Sequence, residues 1–224
     1  LEYNSDEEGM ISANPQFIDS NNGDYHLSDY SPLIGAGTLD GAPADDLDGN
    51  IRPNPEGSIP DIGAYENELA ERIGGNKYFV DTAGSDSNSG SEEAPFLTVG
   101  YAMGVAWDTD TVIVNDGTYS AVAGLDFRGQ GITLGSRYLL DSDTTHIANT
   151  ILSDGYLILE SGEDSSAVIQ GLTLENSSDD GIQINASSPT ISHMVIQNGN
   201  YRGMHIINTS DITFDYLTIK NNTT

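Results

Sequence analysis

The residues whose types and spacing could do chemistry fall in two acidic turns and one acid–base cluster. Asp45-Asp46-Leu47-Asp48-Gly49-Asn50 gathers three carboxylates and an amide around a glycine. That is the oxygen-rich set a calcium ion takes. Asp86 and Asn88, just ahead of Gly90, repeat the theme in shorter form. Neither follows the EF-hand pattern through to its glycine and closing glutamate. Asx-turns without a metal use the same residues. Asp45, Asp46, Asp48, Asp86 and Asn88 are therefore carried forward as candidate Ca2+ ligands, with the metal-free turn as the alternative.

The acid–base cluster is Asp179-Asp180-Gly181 together with Tyr201-Arg202. An offset of 22 residues places Arg202 over Asp180 and Tyr201 over Asp179. β-Elimination on a uronide needs a cation to neutralise the carboxylate and a base near the α-proton. Asp179, Asp180 and Arg202 are the minimum equipment for it. The competing reading, an ion pair between neighbouring coils, is favoured because basic residues are so few. Glycoside hydrolysis needs a second carboxylate across the scissile bond. The equivalent column holds Tyr201 and Arg202 instead. His26, His146, His193 and His205 show no metal-ligand spacing. Tyr30, Tyr119, Tyr138 and Tyr201 could stack on sugar rings or simply cover turns.

These residues must be positioned by a repeat. Gly171-Leu172-Thr173-Leu174-Glu175-Asn176 aligns with His193-Met194-Val195-Ile196-Gln197-Asn198 at an offset of 22, and Tyr216-Leu217-Thr218-Ile219-Lys220-Asn221 follows at 23. Short alternating strands at this period predict a β-solenoid in which each strand pairs in parallel with its counterpart one coil on, about 4.8 Å away. Alternation predicts Leu172, Leu174, Met194, Ile196, Leu217 and Ile219 inside, and Thr173, Glu175, Val195, Gln197, Thr218 and Lys220 outside. Asn176, Asn198 and Asn221 form one column at the end of the strand and predict an internal asparagine ladder at a left-handed turn. Upstream, 111–114, 132–134, 150–152 and 156–159 read as strands. The loop 135–149, with Arg137, Asp141, Asp143 and His146, is the kind of excursion that carries binding sites.

A solenoid end needs a cap. Phe96, Val99, Ala102, Met103 and Ala106 lie at helical spacing, with Pro95 ahead and Thr98 placed as N-cap. Together with Lys77-Tyr78-Phe79-Val80-Asp81, the run Gly84 to Gly90, Ala94-Pro95-Phe96-Leu97-Thr98 and Asp110 through Tyr119, this stretch resembles the opening of secreted right-handed parallel β-helix proteins, a group that includes pectate-lyase-like enzymes and bacterial surface proteins. The resemblance implies an all-β, right-handed parallel β-helix with coils of about 22 residues and a short N-terminal capping helix. It does not fix an activity, because the fold hosts lyases, hydrolases, adhesins and fibres.

A second resemblance runs through Asn14-Pro15-Gln16-Phe17-Ile18-Asp19, Gly23 to Leu27, Ser31 to Gly37, Asp48-Gly49-Asn50-Ile51-Arg52-Pro53 and Asp61-Ile62-Gly63-Ala64-Tyr65-Glu66. These look like the closing segment of the same kind of β-helix in surface-anchored proteins. The expected organisation is a closing segment over 1–66, a linker over 67–76 broken by Gly74-Gly75, and the cap and first coils of a β-helix over 77–224. The chain opens on Leu1 and stops mid-pattern at Thr224, so it reads as a segment of a longer or processed protein. End-before-start order fits a tandem array of modules, or chains associating head to tail.

Lys and Arg number 7 against 35 Asp and Glu, a formal net charge of -28. Such a surface repels nucleic acid and anionic lipid. The absence of cysteine excludes disulfides and thiolate chemistry. No apolar run approaches membrane-spanning length, so no membrane insertion is expected. The two resemblances imply an extracellular or bacterial cell-surface protein. Three readings of its function stand: a structural or adhesive module of a filament; a lyase or hydrolase acting on acidic polysaccharide; and a non-catalytic carbohydrate-binding module.

Overall fold

The structure, a computed structural model, describes residues 13–209 and 211–223. Contacts divide the chain into two compact units, Leu1–Ile73 and Gly74–Thr224. Residues 67–73, read from the sequence as linker, fold onto the first unit. Leu69 packs against Leu27, Leu33 and Ile34, and the Ile73 N–H donates to the Asp29 carbonyl.

The described residues of the first unit have little regular structure. Strands β1 (Phe17–Asp19) and β2 (Asp24–Leu27) form an antiparallel hairpin around a 3-10 turn at Ser20–Asn22. Among the described residues the remainder is turns and irregular chain, and buried carboxylates organise it. Asp61 accepts from the Gly35 and Asn67 N–H groups, and Glu66 from those of Asn54 and Asp61. Arg52 pairs with Glu66 and donates to the Asp61 and Gly63 carbonyls. A strand-poor segment cannot satisfy its amides in ladders, so acidic side chains accept them instead.

The second unit is a parallel β-helix, as the 22-residue period predicts. Strands β3 (Lys77–Val80), β4 (Thr111–Val114), β7 (Thr133–Ser136), β10 (Val168–Gln170) and β13 (Thr190–Gln197) follow one another up the first face. Strands β5 (Gly117–Ser120), β8 (Thr150–Ser153) and β11 (Thr173–Glu175) build the second face and join the C-terminal half of β13. Strand β15 (Thr213–Lys220) pairs with β13 along both faces. Strands β6 (Leu125–Asp126), β9 (Leu157–Leu159), β12 (Ile182–Asn185) and β14 (Met204–Ile207) make the third. Ile169 pairs with Ile191, Leu174 with Ile196 and Ile182 with Met204, all at the predicted offset. The interior stacks Val112, Leu134, Ile169 and Ile191 in one column and Leu152, Leu174 and Ile196 in another, all essentially without solvent contact.

The cap forms as predicted. Helix α1 (Val99–Val105) begins at Thr98, whose hydroxyl accepts from the Tyr101 N–H, and it buries Val99, Ala102 and Met103 against the first coils. Arg128 closes its other end, donating to the Met103 and Ala106 carbonyls with its guanidinium over Trp107.

Three details differ from the sequence reading. Asn176, Asn198 and Asn221 do turn the chain, at φ 55, 58 and 56°, but they are exposed rather than internal. Backbone bonds hold the column, the Asn176 N–H donating to the Gln197 carbonyl and that of Asn198 to Lys220. The amide that reaches inward is Asn222, which accepts from the Gly199 N–H and donates to the Ile196 carbonyl. Ile219, expected inside, is 47% exposed in the last described coil. Thr173, expected outside, is buried. The loop 135–149 explains it. It forms helices α2 (Tyr138–Asp141) and α3 (Thr145–Asn149), a strap across the sheet whose Ile147 carbonyl accepts from the Thr173 hydroxyl at 2.7 Å.

Candidate functional site

The acid–base cluster assembles where the sequence places it. Asp180 lies in the turn before β12, and Arg202 in the turn before β14. These turns stack because Gly181 donates to the Arg202 carbonyl and Ile182 to that of Gly203. Gly181 is required there, since a Cβ would stand 2.6 Å from the Gly203 carbonyl oxygen.

Arg202 grips the carboxylate three times. Its backbone N–H and Nε reach Asp180 Oδ1 at 3.1 and 2.9 Å, and its Nη2 reaches Oδ2 at 2.7 Å. His205 Nδ1 stands 3.4 Å from the same Oδ2. The Asp180 side chain is 7% exposed and that of Arg202 53%. The Arg202 hydrogen bonds hold the Asp180 carboxyl below its ordinary range, against a smaller opposing effect of burial. An acid held ionised with its lone pairs engaged is a poor proton acceptor. Asp179 accepts from the Asp180 N–H at 2.8 Å, an Asx contact within the turn. Tyr201 is exposed. The site is a bidentate ion pair between coils, beside which Asp179 is exposed with only Oδ1 engaged in the turn.

The acidic turns are occupied from within. Asp46 accepts from the N–H groups of Asp48, Asn50 and Glu66 and from the Asn50 side-chain amide, at 2.8–3.1 Å. Those hydrogen bonds outweigh burial and lower its pKa to about 2. Asp48 meets His26 Nε2 at 2.9 Å, while Asp24 holds the other ring nitrogen at 2.6 Å and Tyr65 stacks on the ring at 4.0 Å. Asp45 is exposed and bridges Ile51 through its backbone. Asp86 accepts from the Leu97 and Thr98 N–H groups and from the Thr98 hydroxyl, fixing the entry to α1. Asn88 donates to the Pro95 carbonyl. Asp46 and Asp86 thus spend acceptor capacity on donors from within their own turns, whereas the Asp45 carboxylate is exposed. Among the described residues, no three His, Asp or Glu side chains are grouped so as to hold a metal.

The sequence reading missed three arrangements. Glu163, buried, accepts from Gly129 and Ser161 N–H groups and from the Ser187 hydroxyl, joining three coils. His146 in the strap meets Asp116 from the β4–β5 turn. Tyr138, His193 and Tyr216 stack along the helix axis at 4.7 Å per step. Each depends on partners 23 to 55 residues apart with no motif of their own. Only the coil register, applied across the strap insertion, could have found them.

A hollow of about 250 Å³ lies among Thr82, Leu97, Thr98, Thr118, Tyr119 and Ser120, away from the acid–base cluster. No helix among the described residues is long and apolar enough to cross a membrane.

Comparison with family models agrees with the fold. Residues 131–224 match a family described as the right handed beta helix region. Residues 82–130 match one described as a protein of unknown function, DUF1565. Among solved structures, a rhamnogalacturonan lyase is similar at 15% identity and a TM-score of 0.41, over 62% of this chain and 43% of that one. The chain thus spans less than half the length of that structure. No curated protein matches. The coils of the second unit are those of a right-handed parallel β-helix.

Proposed function

We propose that this chain is a structural or adhesive module of an extracellular or cell-surface protein, a rigid β-helix that performs no chemistry of its own. One observation carries the reading: the carboxylates best placed for chemistry are engaged in holding the backbone. Asp180 is closed by Arg202, Asp46 by the 46–50 turn and Glu66, and Asp86 by the entry to α1. Stiffness follows from continuous parallel ladders over a dry apolar column, in which each coil is held by its neighbours.

One outward column of the first face suits recognition by hydrogen bonding. Thr111, Thr133, Val168, Thr190 and Thr213 line up at one register position, next to interior Val112, Leu134 and Ile191, so this outward column is threonine at every step but Val168. The net charge of -28 keeps such modules soluble and apart, and attraction to acidic glycans would require bridging cations. The motif order, closing segment before opening segment, fits modules joined in tandem or associating head to tail.

Electron microscopy of the native material tests this. Regular rods or filaments with a repeat of one module are expected. Discrete monomeric particles that release unsaturated sugars from an acidic polysaccharide would overturn it in favour of a lyase.

A further inference from the structure

The strap over the β-helix is fastened at two points. At its start, Arg137 reaches back to Asn115 Oδ1 at 3.1 Å and Glu92 Oε1 at 2.9 Å. Near its end stands His146, whose ring is largely shielded, with 16% of the side chain exposed. Its Nδ1 lies 2.5 Å from Asp116 Oδ1, in the turn between β4 and β5, and its Nε2 lies 3.3 Å from Asp141 Oδ2, at the end of α2. A neutral imidazole has one N–H and one lone pair. It can satisfy one of these carboxylates and must turn a lone pair toward the other. Only the imidazolium donates to both.

We propose that His146 is a proton-operated latch: its imidazolium fastens the strap 137–149 across the sheet, and loss of the proton releases it. The groups facing the ring are anionic or neutral. Asp116 comes from the β4–β5 turn and Asp141 from α2, and Asp143 lies beyond them. The Asn149 amide of α3 and the Thr150 hydroxyl of β8 also approach Asp116. The Asp116 hydrogen bond is the largest influence on the ring and raises its affinity for a proton. The latched state is therefore fully present below the ordinary histidine value of 6.5 and is lost as pH rises through the higher bound-state value.

The underside of the strap shows what release would uncover. Tyr138 lies 4.7 Å from the His193 ring and fills the space above Gly171, where a Cβ would stand 2.7 Å from it. Leu139 covers Gly135 in the same way, and the Ile147 carbonyl takes the Thr173 hydroxyl. These contacts cover both sheet faces on either side of the corner at Gly171. An open strap would expose bare backbone at Gly135 and Gly171 and the face of His193.

Hydrogen–deuterium exchange on the full chain at about pH 6 and about pH 9, corrected for intrinsic rates, reads the latch across the histidine range. Several-fold faster opening of strap amides at the higher pH is expected, with core amides such as Leu174 and Ile196 unchanged. In His146→Gln, the strap should be open at both pH values. Should that variant fold poorly, Asp141→Asn keeps the ring and should lower the pH at which the strap opens. Equal protection of the strap at both pH values, a pH response that survives His146→Gln, or an unshifted opening midpoint in Asp141→Asn would each overturn the proposal.

Discussion

Arg52 and Glu66 form an ion pair at 3.1 Å with both side chains almost wholly removed from water, 6% and 0% exposed. Around it, Glu66 accepts two backbone N–H groups and Arg52 donates to two carbonyls. Removing one member leaves the other charged, buried and unpaired. Glu66→Ala should cost about 3–5 kcal/mol and unfold the first unit in preference to the second. Denaturant unfolding followed separately by peptide-level exchange in 13–73 and 77–209 checks this.

Acid stability of that unit should have two opposed contributions. The Asp46 pKa is lowered to about 2 from 3.8, so its share of stability is present above the ordinary value and is lost as pH falls toward 2. Asp61 is raised, chiefly by burial, so ionising it opposes folding and acid relieves that strain first. Asp46→Asn should remove the steep loss at the lowest pH and cost about 1–3 kcal/mol near neutrality. Chemical denaturation from about pH 7 down to about pH 2 measures both effects.

The interior column separates buried from end positions. Leu174 and Ile196 are dry, whereas Ile219 is 47% exposed. Leu174→Asp or Ile196→Asp places a charge in the core and should cost several kcal/mol, whereas Ile219→Asp in this chain should cost well under half as much. A thermal melt of the three variants reads the difference directly. Equal losses would mean the register of the last described coil is wrong.

Gly171 carries two constraints at once. Its φ is +76°, and a Cβ would meet Tyr138 at 2.7 Å. Gly171→Ala should cost about 1–2 kcal/mol for the left-handed backbone alone and should loosen the strap beyond that. His193 and Tyr216 occupy the same column with φ of 53 and 47°, but there the side chain itself is part of the aromatic stack. Exchange in 137–149 should rise in Gly171→Ala while the flanking ladders stay protected.

The fold was legible because its signal is local and repeated. Leu172, Leu174, Met194 and Ile196 alternate within strands, and the offset of 22 fixes which strand each pairs with. The cap was legible from Thr98 and the apolar spacing behind it. The Asp180–Arg202 pair was legible for the same reason, as it obeys the register. What escaped the sequence lies where the register is interrupted. The strap separates β7 from β10 and β5 from β8, so the contacts of His146 with Asp116 and of Tyr138 with His193 have no constant offset. The acidic turns are ambiguous for a different reason. A carboxylate that accepts backbone N–H groups and one that ligates calcium sit in the same Asp, Asn and Gly context.

The central claim is that Asp180 and Arg202 hold two coils together and do not turn over a substrate. It is tested most directly by measuring release of unsaturated sugars from a panel of polyuronates with calcium present, for the wild type and for Arg202→Ala, alongside their melting temperatures. The account predicts no release by either protein and a lowered melting temperature in the variant, modest because Arg202 is half exposed. Release by the wild type that disappears in Arg202→Ala at an unchanged melting temperature would contradict it.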